Sequence, residues 1–280
     1  MTPGRAFVGV SGWRYKSWRG DFYPRGLPQR GELGYIGERM NSAELNGSFY
    51  SLQRQSSYER WRDETPADFV FAVKGSRYIT HMLALKNTER ALANFLASGI
   101  LALGAKLGPI LWQLPERAQF DEAALDDFLG SLPRSTVEAS ALALHHDARL
   151  DGRALVKTEV DRALRHALEV RHPSFASPEA YRIAAAHDVA IVTADSAGKW
   201  PVIRGATARL RYVRLHGSRE LYTSGYTDAE LDLWAADIRG WWGAGQDVYA
   251  YFDNDAHGRA PHDAIQLAQL LRDPESSPGT

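Results

Sequence analysis

The sequence predicts a (β/α)8 barrel. Eight short apolar runs recur along the 280 residues, and amphipathic or alanine-rich segments fill most of the gaps between them. The runs are rich in β-branched and aromatic residues and nearly continuous in apolarity, as strands buried on both faces of a parallel sheet are. That alternation fits the roughly 250 residues such a barrel takes. A doubly wound open sheet shares it and is the alternative.

The strands are read at FVGV (7–10), SAEL (42–45), FVFAVK (69–74), PILWQL (109–114), ALEVR (167–171), VAIVTA (189–194), RYVRLH (211–216) and DVYAYFD (247–253). Between them, Leu33, Ile36 and Met40 mark one helical face, and Leu92, Phe95 and Leu96 mark another within 88–100. Ser177 before Pro178 reads as a helix N-cap, and Thr227 with Glu230 as a capping box. The gap SAGKWPVIRGATA between strands six and seven reads as loop. Region 134–166 exceeds one connecting helix and is expected to be a helical insertion between strands four and five. One barrel domain over 5–272 and a disordered tail, DPESSPGT, complete the expected organisation.

Composition narrows the function classes. With 44% hydrophobic residues the chain can build a core without staples, and a formal net charge of -1 offers no global field for nucleic acid or membrane. The absence of cysteine excludes disulfides, thiolate zinc sites, iron–sulfur clusters and a cysteine nucleophile. No signal-peptide core or bilayer-length apolar run is present, so a cytoplasmic location and no membrane partner are expected. Walker, HExxH, GxSxG and EF-hand motifs are absent. His145-His146 reads as an exposed helix face, and Trp241-Trp242 as residues following a helix.

Polar groups interrupt the strands near their C-terminal ends. Alternation puts Glu44 with Asn46 on one face of strand two, Glu169 with Arg171 in strand five, and Arg214 with His216 in strand seven. Lys74 and Asp195 end strands three and six, and Asp253 ends strand eight. In a (β/α)8 barrel these ends carry the active site. A charge inside an apolar strand is also costly unless something holds it. The loop SGWRYKSWRGDFYP (11–24) adds Trp13 and Tyr15, interleaved with cations, either as a stacking platform or as a small core over the barrel mouth.

The ordered motifs GVSGWRYKSW, AELNGSFY, FAVKGSRYITH, LGPILWQLP, LEVRHPSF, YVRLHG and YFDND resemble the YecE-like family over about residues 5–272. The resemblance implies a (β/α)8 barrel with its functional surface at the same rim, and a biochemical activity that is not established. Asp253 stands where the family pattern more often has asparagine.

The expected site therefore has Glu44, Glu169, Asp195 and His216 as catalytic candidates. Trp13, Tyr15, Asn46, Lys74 and His81 are expected to bind substrate, as are Arg171, His172, Arg214, Asp253 and Asn254. The first reading is hydrolysis or cleavage of an anionic substrate, phosphorylated or nucleic acid, with Glu44 or Glu169 as base and His216 as acid. A non-catalytic binder of a phosphorylated metabolite or nucleic-acid end is the alternative. Glycoside hydrolysis by Glu44/Glu169 or Glu169/Asp195 is a further one. No cofactor is firmly implied. A divalent metal on Glu169, Asp195, His216 and His172 is conceivable, though the interleaved arginines oppose it.

Overall fold

The structure, a computed structural model, describes residues 4–272; the expected tail, 273–280, lies outside them. Nine strand segments alternate with helices in the (β/α)8 order. They are β1 (Ala6–Ser11), β2 (Ser42–Leu45), β3 (Val70–Lys74), β4 (Leu107–Gln113), β5 (His166–Glu169), β6 (Val189–Ile191), β7 (Thr193–Asp195), β8 (Leu210–Leu215) and β9 (Asp247–Phe252). Every strand read from the sequence is present. Strand six differs: the run VAIVTA breaks at Val192, because β6 takes its register from β5 while β7 takes it from β8.

By its contacts the chain forms two compact units. The first comprises 4–44, 192–204 and 209–272; the second comprises 45–191 and 205–208. In the first unit the parallel order is β2-β1-β9-β8-β7. Gly9 opposes Ser42, and Ser11 opposes Glu44. A Cβ on Gly9 would lie 1.9 Å from the Ser42 carbonyl oxygen, so only glycine allows this strand approach. Stacked rings of Phe7 and Tyr249, 4.7 Å apart, fill the N-terminal part of this sheet.

The second unit has the order β3-β4-β5-β6, also parallel. Its centre is Trp112, edge-on to Phe128 at 5.3 Å and tilted on Phe95 at 5.6 Å. The Trp112 indole N–H donates to Nδ1 of buried His166 at 3.2 Å, and the His166 Nε2 lies 2.8 Å from the Pro133 carbonyl. That pattern requires a neutral imidazole protonated at Nε2.

Caps fall where the residues place them. The Ser177 hydroxyl accepts from the Ala180 N–H ahead of helix Pro178–Ala186. Thr227 and Glu230 form a reciprocal capping box on helix Asp228–Gly243. Thr227→Ala should cost about 1 kcal/mol in urea unfolding, the usual worth of such a cap.

Two local expectations are corrected. Trp241 and Trp242 lie inside helix Asp228–Gly243 rather than after it. His145 and His146 lie beyond helix Thr136–Ala143, in a turn closed by bonds from their N–H groups to Leu142 and Ala143. Region 134–166 holds that helix, a short turn at Ala148–Leu150 and a stretch without helix that leads into β5.

Candidate functional site

In the first unit a charged network occupies the C-terminal half of the sheet. Glu44 is fully buried, and its carboxylate accepts from the Ser11 hydroxyl at 2.7 Å, the Tyr212 hydroxyl at 2.7 Å, and Arg214 Nε at 3.0 Å and Nη2 at 2.8 Å. Arg214, equally buried, also donates to Asp253 Oδ2 at 3.0 Å. These partners explain how an acid and a guanidinium survive inside the sheet: the Glu44 carboxylate accepts four hydrogen bonds, and Arg214 is paired with two carboxylates. With its oxygens filled, Glu44 holds Arg214 and Tyr212 in place and has no vacant position for a substrate proton. Arg214 is likewise a strut between strands, where the sequence suggested an anion clamp.

The solvent-facing end of this network is different. Asp253 Oδ2 lies 3.0 Å from His216 Nδ1, and its side chain is 17% exposed. The His216 ring is boxed edge-to-face by Trp200 at 5.1 Å and Tyr222 at 5.5 Å. Tyr222 itself sits at φ 64, a strained left-handed conformation of the kind that collects at functional sites. Asp255 is buried, and burial, aided by the neighbouring Asp253 charge, pushes its carboxyl well above the usual range. The Tyr15 hydroxyl donates to the Ser11 carbonyl at 2.5 Å and lies in hydrogen-bonding range of Asp255. A hydrogen bond from the Tyr15 hydroxyl opposes that rise. Asp255 Oδ1 is buried with no hydrogen-bond partner among the described protein groups.

The second unit gathers cations. Lys74 ends β3, and its ammonium lies 4.6 Å from the centre of the Phe49 ring. A Cβ at the next residue, Gly75, would come within 2.3 Å of the Trp112 ring, so glycine is required there. His81, on a π-helical turn over Tyr78–Met82, lies edge-to-face with the same Phe49 ring at 5.1 Å. Arg117 donates to the His81 carbonyl at 3.2 Å. Arg171 donates from Nε to the buried Glu169 at 2.9 Å. Burial first, then the charges of Arg77, Lys74, Arg171 and Arg117, pull His81 down to about 4.

Burial holds His166 at about 4 as well. Both histidines are therefore neutral when folded and take up protons more readily when unfolded. Stability should fall as pH drops from 6.5 towards 4, by at most about 1.4 kcal/mol per pH unit for buried His166 and by less for partly exposed His81, where water screens the charges. Unfolding curves across that range check the sign.

Beside His81 and Arg117 lies a cavity of about 280 Å³. It opens among residues that follow the C-terminal ends of β3, β4 and β5, and Leu85, Leu114, Leu125 and Phe175 form its buried walls.

The remaining expected residues fall as follows. Trp13 is buried, and its carbonyl accepts from the Tyr23 hydroxyl at 2.8 Å. Trp18, Phe22 and Tyr23 pack together with Tyr35, so the 11–24 loop is a small core, with Ser11 bonded to Glu44 and Tyr15 in reach of Asp255. Asn254 is buried and braces the chain, donating to the Ser224 carbonyl at 3.0 Å and to Asp263 at 2.8 Å. The His172 Nδ1 caps the turn Pro173–Phe175 by accepting from Ser174. Asn46 is the residue before helix Gly47–Tyr50. Asp195 ends β7, where burial raises its carboxyl and a Tyr226 hydrogen bond opposes the rise. Among the described residues no group of three histidine, aspartate or glutamate side chains is placed to hold a metal. None of their helices is long and apolar enough to cross a membrane.

Sequence reasoning missed Asp255, Trp200 and Tyr222 in the first unit, and Arg77, Arg117 and Phe175 in the second. Three carried a signal: Asp255 is the second carboxylate of YFDND, Arg77 lies in FAVKGSRYITH and Phe175 ends LEVRHPSF.

Parallel strands alternating with helices, with charged groups at the C-terminal strand ends, make this a protein of the (β/α)8-barrel class. The chain belongs to the family described as Protein of unknown function DUF72, whose model matches residues 7–279. It is 29% identical over 128 residues to the UPF0759 protein YecE of Escherichia coli (strain K12), a match covering 45% of this chain and 44% of that relative. The chain thus spans less than half the length of that curated relative. Among solved structures, a DUF72 family protein from Thermotoga maritima MSB8 superposes with TM-score 0.77 at 24% identity, covering 96% of this chain and all (100%) of that one. A DUF72 family protein from Enterococcus faecalis V583 gives TM-score 0.72 at 15% identity, covering 98% of this chain and 99% of its own. Both show the same fold.

Proposed function

We propose that this protein is an enzyme that hydrolyses or cleaves a phosphate-bearing substrate, whose anion is taken by Lys74, His81, Arg117 and Arg171. The observation that carries this reading is His81. A neutral imidazole held among four cations, in a partly exposed position, is an environment that an incoming anion would stabilise. Arginine forks suit phosphate geometry, and Lys74 adds a point charge.

Within the same unit, buried Glu169 at the end of β5 lies 2.9 Å from Arg171 of the cation cluster and is the carboxylate this reading assigns to proton transfer.

A thermal-shift comparison tests this. Inorganic phosphate and phosphate monoesters should raise the melting temperature, by the equivalent of about 2.7 kcal/mol at one hundred times the dissociation constant, while neutral sugars should not. Arg117→Ala is the clean variant, since Arg117 is exposed and no buried acid depends on it. It should weaken phosphate binding by about tenfold or more, the worth of a charged hydrogen bond. Arg171→Ala confounds the result by stranding buried Glu169. Stabilisation by neutral sugars with no response to phosphate would count against the proposal.

A further inference from the structure

We infer that the cavity beside His81 is the subsite for the ester group of the substrate, and that this group is a single, largely apolar ring carried by the phosphate. The inference rests on the anion reading above and names the other half of the same ligand.

Location is the first argument. The cavity shares His81 and Arg117 with the cationic cluster, so an anion held there directs its substituent at the cavity mouth. Size is the second. At about 280 Å³ it falls just below the usual range for small-molecule pockets, enough for one ring and too small for an oligomer.

The walls decide the chemistry. Leu85, Leu114, Leu125 and Phe175 are all buried, and Phe175 is set edge-on to Phe120 at 5.5 Å. The polar groups around the opening are largely engaged with one another: Lys86 pairs with Asp121 at 2.9 Å, and the Thr80 hydroxyl lies 2.9 Å from His81 Nδ1. A sugar ring would bring hydroxyls that such walls leave unpaired, at a cost for each. An aromatic ring brings none and gains from covering leucine and phenylalanine surface.

The backbone gives independent support. His81 stands on a π-helical turn, a feature that recurs at functional sites. The chain then passes through left-handed conformations at Ala84 (φ 49), Leu85 (φ 65) and Asn87 (φ 52). None is glycine, and a branched side chain at such a φ is disfavoured. Leu85 keeps that conformation with its side chain buried in the cavity wall.

Calorimetric titration with inorganic phosphate, phenyl phosphate and glucose 6-phosphate tests the assignment. It should be run on the full chain and on the cavity-filling variants Ala118→Leu and Ala124→Leu, two lining positions remote from the cations in role. Phenyl phosphate should bind the unaltered protein at least about tenfold more tightly than inorganic phosphate, from apolar burial alone. Glucose 6-phosphate should show no such advantage. In the filled variants the phenyl preference should vanish while inorganic phosphate affinity persists, which also reports that the variants are folded. Equal affinities for phenyl and inorganic phosphate, or a preference surviving both substitutions, would overturn the ring subsite and leave the anion site standing. Binding of neither anion would overturn both.

Discussion

Arg214→Ala should destabilise the protein by about 3–5 kcal/mol, the cost of removing one partner from a buried ion pair. The reason is Glu44. With Arg214 gone, a fully buried carboxylate loses two of its hydrogen bonds and its counter-charge, keeping only the Ser11 and Tyr212 hydroxyls. Asp253 loses a donor as well. Glu44→Gln alone should be milder, because an amide is cheaper to bury than an unpaired charge. The double variant Glu44→Gln/Arg214→Met should recover part of the Arg214→Ala loss, as neutral replacements of both partners do elsewhere. Urea unfolding of the three variants reads all of this. An unchanged midpoint in Arg214→Ala, with anion binding abolished, would restore the clamp that the sequence suggested.

The second large effect is on the pH dependence of stability. Asp255→Asn should lose no stability at neutral pH. The sign follows from linkage. The Asp255 carboxyl is raised when folded, so the stability it contributes is present below 3.8 and is lost as pH rises through the raised value. Asparagine carries no proton to lose, so the variant should show a flatter stability profile on the alkaline side of 3.8 and equal or greater stability at pH 7. Loss of stability at pH 7 in Asp255→Asn would instead make the carboxyl a structural group.

The barrel was legible because its signals are local. Runs such as PILWQL and RYVRLH carry strand character in consecutive residues, and Ser177-Pro178 and Thr227…Glu230 carry their caps within one turn. The polar strand ends were legible too, since Glu44, Lys74, Glu169 and Arg214 interrupt apolar runs. Their roles were not. Glu44 and Arg214 are 170 residues apart in the chain, and only the folded pairing shows that each satisfies the other. The aromatic loop was read as an open choice, and burial of Trp18 and Tyr23 decides for the small core. Asp255, Trp200, Tyr222 and Arg117 escaped notice because loops have no period. Their positions follow from strained or irregular backbone such as Tyr222, which composition does not encode. The break of strand six at Val192 is likewise a change of pairing partner, invisible in an apolar run.

Capture of an anion by His81 and its surrounding cations can be read by following the His81 ring by NMR through a pH titration, with and without inorganic phosphate. Without phosphate the imidazole should titrate at about 4. With saturating phosphate its pKa should rise by a unit or more (about 1.4 kcal/mol of coupling per unit) as the anion offsets the neighbouring charges. The His166 ring, buried in the same unit, should not move and serves as the internal control. A His81 titration unchanged by phosphate, or one already near 6.5 in its absence, would rule out an anion site at His81.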